Sequence, residues 1–169
     1  MNKDNIILIG MPASGKSTAG VILAKFLGYD FIDTDILIQE KTGKLLHEII
    51  SERGLEEFKK IEENINASVC CHKSIISPGG SVIYGEKAMR HFKEIGTVIY
   101  LKLPYAEVEK RLGNLRSRGV VLQEKQTLLD LYNERVPYYE KYADITIDET
   151  GLSVEETIGL IAEKMGIRW

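Results

Sequence analysis

Gly10-Met11-Pro12-Ala13-Ser14-Gly15-Lys16-Ser17 is the stretch that decides the fold. It matches G-x-x-x-x-G-K-[ST], the phosphate-binding loop pattern. The glycines let the backbone curl, so that successive N–H groups point into one concavity and meet phosphate oxygens. A helix that opens at the loop turns its positive end toward the same anion. Lys16 then bridges the β- and γ-phosphates, and the Ser17 hydroxyl ligates Mg²⁺. The flanks supply the required context. Asn5–Ile9 (NIILI) reads as a buried strand, and Lys16–Leu27 reads as a helix stopped by Gly28. A nucleoside triphosphate with magnesium is the expected ligand. Its expected contacts are Gly10, Ala13, Ser14, Gly15, Lys16, Ser17 and Thr18.

Beyond the loop, strands and helices alternate. Strands are expected at Tyr29–Ile32, Ser74–Ser77, Thr97–Leu101 (TVIYL) and Ile145–Ile147. Short helices are expected at Ile36–Lys41 and Leu45–Ile50, then longer ones. Glu56–Val69 carries Phe58, Ile61, Ile65 and Val69 at helical spacing, and Lys87–Lys93 follows. Pro104 opens a further helix at its first position. Residues 113–121 (GNLRSRGVV) read as a polar loop. Lys125–Tyr132 reads as a helix whose continuation Pro137 kinks or breaks. Ser153 and Glu156 form a capping-box pattern ahead of the last helix. This alternation argues for a parallel sheet covered on both faces.

The chain has 169 residues, 44% hydrophobic and 28% charged, the balance of a globular protein with one core. Disordered, collagen-like and coiled-coil chains are excluded. A net charge of −3 argues against a nucleic-acid partner. No apolar run reaches the ~18 residues needed to span a membrane, and Met1–Ile9 is too short for a signal peptide. A cytoplasmic monomer, one domain over residues 1–169, is expected. Cys70 and Cys71 are neighbours, too close for a relaxed disulfide, and read as free thiols. His47, His72 and His91 show no metal or triad spacing and read as surface or structural.

Asp33 and Asp35 stand at the carboxyl end of the second strand, on the sheet edge that carries the phosphate loop. If the strand persists, alternation puts both on one side. One carboxylate then binds Mg²⁺, and the other accepts or orients the proton of an attacking hydroxyl. A helix N-cap at Asp33 or Thr34 is the structural alternative, and the two roles can coexist.

These residues, together with FKKIEE at 58–63, PGGS at 78–81, the segment from Arg116 to Val121 and ERVPYYEKYAD at 134–144, give a chain that resembles the shikimate kinase family from Asn5 to about Met165. The resemblance implies a three-layer αβα P-loop NTPase fold with a five-stranded parallel sheet ordered 2-3-1-4-5. It implies an acceptor-binding helical segment near residues 34–62, a lid near 113–124, and transfer of the ATP γ-phosphate to the 3-hydroxyl of shikimate. By position, Asp33 matches the acidic residue near Mg²⁺. Asp35 matches the aspartate that holds the shikimate hydroxyls and is the family's base. Gly79 and Gly80 match the glycines whose backbone faces the substrate. Arg118 matches the lid arginine, Arg111 the arginine near the adenine, and Arg135 one of two arginines on the shikimate carboxylate. Lys59 stands where the family has the second arginine, and lysine lacks its planar fork. Ser81 replaces a third glycine, and Gly119-Val120-Val121 replaces a Pro-Leu-Leu.

Two other readings stand beside this one. A kinase of the same fold could act on a polyol, a sugar acid or a nucleotide, and the anion clamp at Arg135 and Lys59 separates it from the first. A nucleotide-dependent switch protein would carry an N-K-x-D base-reading motif, which is absent.

Overall fold

A computed structural model of the chain describes residues 3–113 and 126–167. The sheet has five parallel strands: β1 (Asn5–Ile9), β2 (Asp30–Asp33), β3 (Ser74–Ser77), β4 (Gly96–Lys102) and β5 (Ile145–Asp148). Their order is β2-β3-β1-β4-β5, as expected. The apolar run of β1 lies at the centre, with Ile6 opposite Ile75 of β3 and Thr97 of β4.

Strand alternation feeds two cores. Ile7, Ile9, Ile76, Val98 and Tyr100 face α5 (Glu86–Ile95), α6 (Tyr105–Gly113) and α7 (Leu128–Tyr142). Ile6, Leu8, Ile75, Ile99 and Leu101 face α1 (Lys16–Leu27) and α8 (Val154–Lys164). Burial on both faces is what a continuous Ile/Val/Leu strand requires. A third, smaller core of Ile38, Ile49 and Phe58 ties together α2 (Thr34–Thr42), α3 (Leu46–Arg53) and α4 (Leu55–Ala67) at the rim. Among the described residues no helix is long and apolar enough to cross a membrane.

Four expectations need correction. β2 stops at Asp33 and α2 begins at Thr34, so strand alternation does not relate Asp33 to Asp35. The Asp33 carboxylate accepts from the backbone N–H groups of Asp35 and Ile36 and caps the helix. A capped helix there satisfies donors that a longer strand would leave facing the site. Second, Pro104 is not inside α6. It precedes Tyr105, and its carbonyl accepts from Glu107 and Val108 N–H. Third, α7 runs from Leu128 through Pro137 to Tyr142 without a break. Burial of Leu131, Arg135 and Tyr139 on one face outweighs the single lost hydrogen bond. Fourth, the buried stripe of α4 is Phe58, Glu62 and Asn66, while Ile61 and Ile65 are only partly buried.

Candidate active site

The phosphate loop holds its curl through a strained backbone. Gly10 has φ +154°, and a Cβ there would lie 2.7 Å from the Leu101 carbonyl oxygen. Ala13 has φ +64° despite its side chain, a conformation that costs energy outside glycine. Arg111 steadies this point, donating from Nη1 to the Ala13 carbonyl at 3.2 Å. Lys16 is 8% exposed and donates to the carbonyls of Gly10 and Met11, each at 3.0 Å. Burial pulls its ammonium down to about 8, against the opposing pull of Asp35.

Ser17, at the start of α1, donates to Asp33 Oδ2 at 3.1 Å and lies 3.3 Å from Ser77 Oγ. Asp33 therefore works with both oxygens, one on the α2 cap and one on Ser17. Ser77 was not singled out from the sequence. Its signal is its place at the last position of β3, on the edge where ligands of parallel sheets gather. The set of two hydroxyls and a carboxylate is all hard oxygen, which suits a magnesium ion that keeps several waters.

Asp35 follows one residue inside α2 and lines a cavity of about 280 Å³ that opens from the phosphate loop. Burial, then the neighbouring Asp33 charge, raises its carboxyl to about 6. The same cavity is lined by Lys16, Ser17, Asp33, Lys59, Gly79, Gly80 and Arg135. With Ala13, nine residues proposed from the sequence thus converge on one space, although they come from five separate stretches of chain. Arg111 is not in its wall and meets the phosphate loop through the Ala13 carbonyl. Arg118, and with it most of the expected lid, falls outside the described residues.

The glycine loop after β3 threads between carboxylates. A Cβ on Gly79 would lie 2.8 Å from both Asp35 Oδ1 and Glu62 Oε1. Only glycine lets the backbone pass there. Tyr139, buried in α7, donates from its hydroxyl to the Gly80 carbonyl at 2.7 Å and fixes the loop. Tyr139 also stacks on Tyr100 with ring centroids 5.1 Å apart, so it both packs the core and anchors the loop.

Glu62 is the main residue that sequence reasoning passed over. It is 2% exposed, and burial raises its carboxyl to about 7. Ser81 Oγ donates to Oε2 at 2.7 Å, while Oε1 has no hydrogen-bond partner among the described residues. The available signal was its spacing, four residues after Phe58, which puts a carboxylate on the apolar stripe of α4. Arg135, 7% exposed, forms no ion pair with a described residue. A buried, unpaired guanidinium beside a cavity is a strong anion site. Lys59 pairs with Glu56 at 3.0 Å on the rim and keeps its ammonium 4.8 Å from the centre of the Tyr84 ring.

The wall of this one cavity thus brings together the phosphate loop with its lysine, the carboxylate of Asp35, and two cations, Arg135 and Lys59. That is the layout for moving a phosphoryl group onto a small anionic alcohol. A family model described as shikimate kinase matches residues 12–166. The shikimate kinase of Clostridium botulinum strain Langeland is 40% identical over 82% of this chain and 84% of its own. That of Chlorobium chlorochromatii is 33% identical over 95% and 90%. Among solved structures, shikimate kinase from Acinetobacter baumannii in complex with shikimate superposes with a TM-score of 0.86 at 28% identity, covering 96% of this chain and 92% of that one. The Aquifex aeolicus enzyme gives 0.78 at 27%, covering 96% of each chain.

Proposed function

Since this chain belongs to the shikimate kinase family, we propose that it transfers the γ-phosphate of ATP to the 3-hydroxyl of shikimate, as a monomer in the cytoplasm. The observation that carries the reading is the cavity itself, where Lys16, Asp35 and Arg135 face one small space. In this reading the acceptor oxygen bonds to the γ-phosphorus as the bond to the bridging oxygen breaks, and ADP leaves. The hydroxyl proton passes to Asp35. A carboxyl raised to about 6 is ionised at neutral pH yet basic enough to take that proton. Lys16, still mostly protonated at pH 7, supplies positive charge to the phosphates. Ser17 and Asp33 would hold Mg²⁺, which when bound neutralises charge on the β- and γ-phosphates. Arg135 and Lys59 hold the shikimate carboxylate, and the backbone at Gly79 and Gly80 lies against the ring. Arg111 serves the nucleotide side.

The test is ADP release with shikimate against a panel of polyols, sugar acids and nucleoside monophosphates. Turnover with shikimate alone, above the ATPase background, is the expected result. Turnover with another class and none with shikimate would replace it with the second reading, a same-fold kinase for a different acceptor.

The pH dependence of kcat/KM for ATP, which reports the enzyme before ATP binds, should be bell-shaped. Its acid limb falls near 6, where Asp35 takes up a proton. Its alkaline limb lies near 8, where Lys16 loses its proton. A profile flat from pH 5 to 9 would remove both assignments.

A further inference from the structure

The departure at Lys59 leaves the anion clamp with one planar fork instead of two. The structure shows what stands beside it. Tyr84 ends the 3₁₀ turn Val82–Tyr84, which follows directly from the glycine loop. Its ring lies under both clamp cations, 4.8 Å from Lys59 Nζ and 5.6 Å from Arg135 Cζ. Its hydroxyl does two things at once. It accepts from Arg135 Nε at 3.4 Å and donates to Glu134 Oε1. Tyr138 meets the ring edge-on at 5.7 Å and limits its rotation.

We propose that Tyr84 is the positioning residue of the acceptor-carboxylate clamp, holding Lys59 and Arg135 to one ring so that both cations present to a single carboxylate. The proposal rests on the shikimate kinase reading above. The physical case has three parts. Two cations that must share one anion repel each other before it arrives, and the electron-rich face of a ring offsets part of that repulsion. A lysine rotates freely about its stem, so a ring that attracts its ammonium limits the positions it samples. The hydroxyl accepts from Nε of Arg135 while Tyr139 takes a second guanidinium hydrogen bond, so two phenols fix the plane that a carboxylate would meet. Tyr84 acts on Lys59 and Arg135, so its effect belongs to acceptor binding.

Two variants separate the ring from the hydroxyl. Tyr84→Leu removes both, and Tyr84→Phe removes the hydroxyl alone. Each is assayed with shikimate and with its methyl ester, which keeps every hydroxyl and lacks the charge. With shikimate, KM should rise roughly tenfold for Tyr84→Leu and by a smaller factor, about threefold, for Tyr84→Phe. The kcat and the KM for ATP should stay within about twofold of the parent. With the ester, parent and variants should have the same KM. An equal loss on both acceptors, a loss in kcat, or an unchanged KM for shikimate would overturn the proposal. If the leucine variant does not fold, the ratio of shikimate to ester KM in the phenylalanine variant decides the same question. A parent protein that leaves shikimate unphosphorylated would overturn the functional reading itself, before any variant is compared.

Discussion

Lys16→Met should lower kcat/KM for phosphoryl transfer by roughly a thousandfold or more. No other cation among the described residues lies in the phosphate loop, so nothing there replaces the lost charge. The fold should survive. The buried Lys16 ammonium has its pKa lowered to about 8, so between there and its unfolded value near 10.5 the unfolded chain binds the extra proton. Stability therefore rises with pH across that window, and at pH 7 the charged lysine costs the folded state energy. A methionine of similar length removes that cost, along with two hydrogen bonds to the loop carbonyls. Thermal unfolding at pH 7 should show no loss of Tm while steady-state turnover collapses. Retained turnover would contradict the role, and a collapsed Tm would make the loss one of folding.

Asp35→Asn should cost turnover roughly 10²- to 10⁴-fold, the range of a positioned proton acceptor. Affinity for ATP should change little, since Asp35 bonds neither the phosphate loop nor Ser17. The stability effect has the opposite sign to the activity effect. Asp35 has its carboxyl raised from 3.8 to about 6, so between those values the folded chain binds the extra proton and stability falls as pH rises. Above pH 6 the ionised side chain costs the fold on the order of 2–3 kcal/mol, which asparagine removes. The variant should melt several degrees higher than the parent at pH 8, and the two should converge near pH 4. A variant that melts lower at pH 8, or that keeps its turnover, would contradict the placement of Asp35 as a buried base.

Stability and activity pull apart at this site because catalysis keeps charges where folding alone would not put them. Lys16, Asp35 and Glu62 are all pushed toward their neutral forms by burial. Each is retained in the wall of a cavity that also presents glycine backbone, the Phe58 and Tyr84 rings, aliphatic side chains such as Ile50 and Leu131, and the cations Lys59 and Arg135.

The parts of this arrangement that could be read from the sequence are those fixed by local chemistry. NIILI and TVIYL are apolar on both faces and had to be central strands. The phosphate loop carries its own geometry, and Asp33 carries its own helix cap. The relation of Asp33 to Asp35 stays open in the sequence between strand alternation and a helix cap, because it depends on where β2 ends, and the cap at Asp33 decides it. The break that Pro137 suggests does not occur, because a proline's local cost is outweighed by the face of α7 that Arg135 and Tyr139 bury. For a different reason, the roles of Glu62, Ser77 and Tyr84 are harder to read, although the first two carry a positional signal. Each acquires its role from partners on other elements: Ser81 for Glu62, Ser17 for Ser77, and Lys59 with Arg135 for Tyr84. Periodicity within one helix or turn carries no record of such meetings.

The central claim is that this cavity directs one phosphoryl group from ATP to one hydroxyl of shikimate. Phosphorus–proton correlation NMR on the product of a reaction with shikimate, ATP and Mg²⁺ tests it directly. The expected spectrum shows a single new phosphate ester, with its phosphorus coupled to the ring proton at carbon 3. Inorganic phosphate alone, or an ester on a different hydroxyl, would contradict the account.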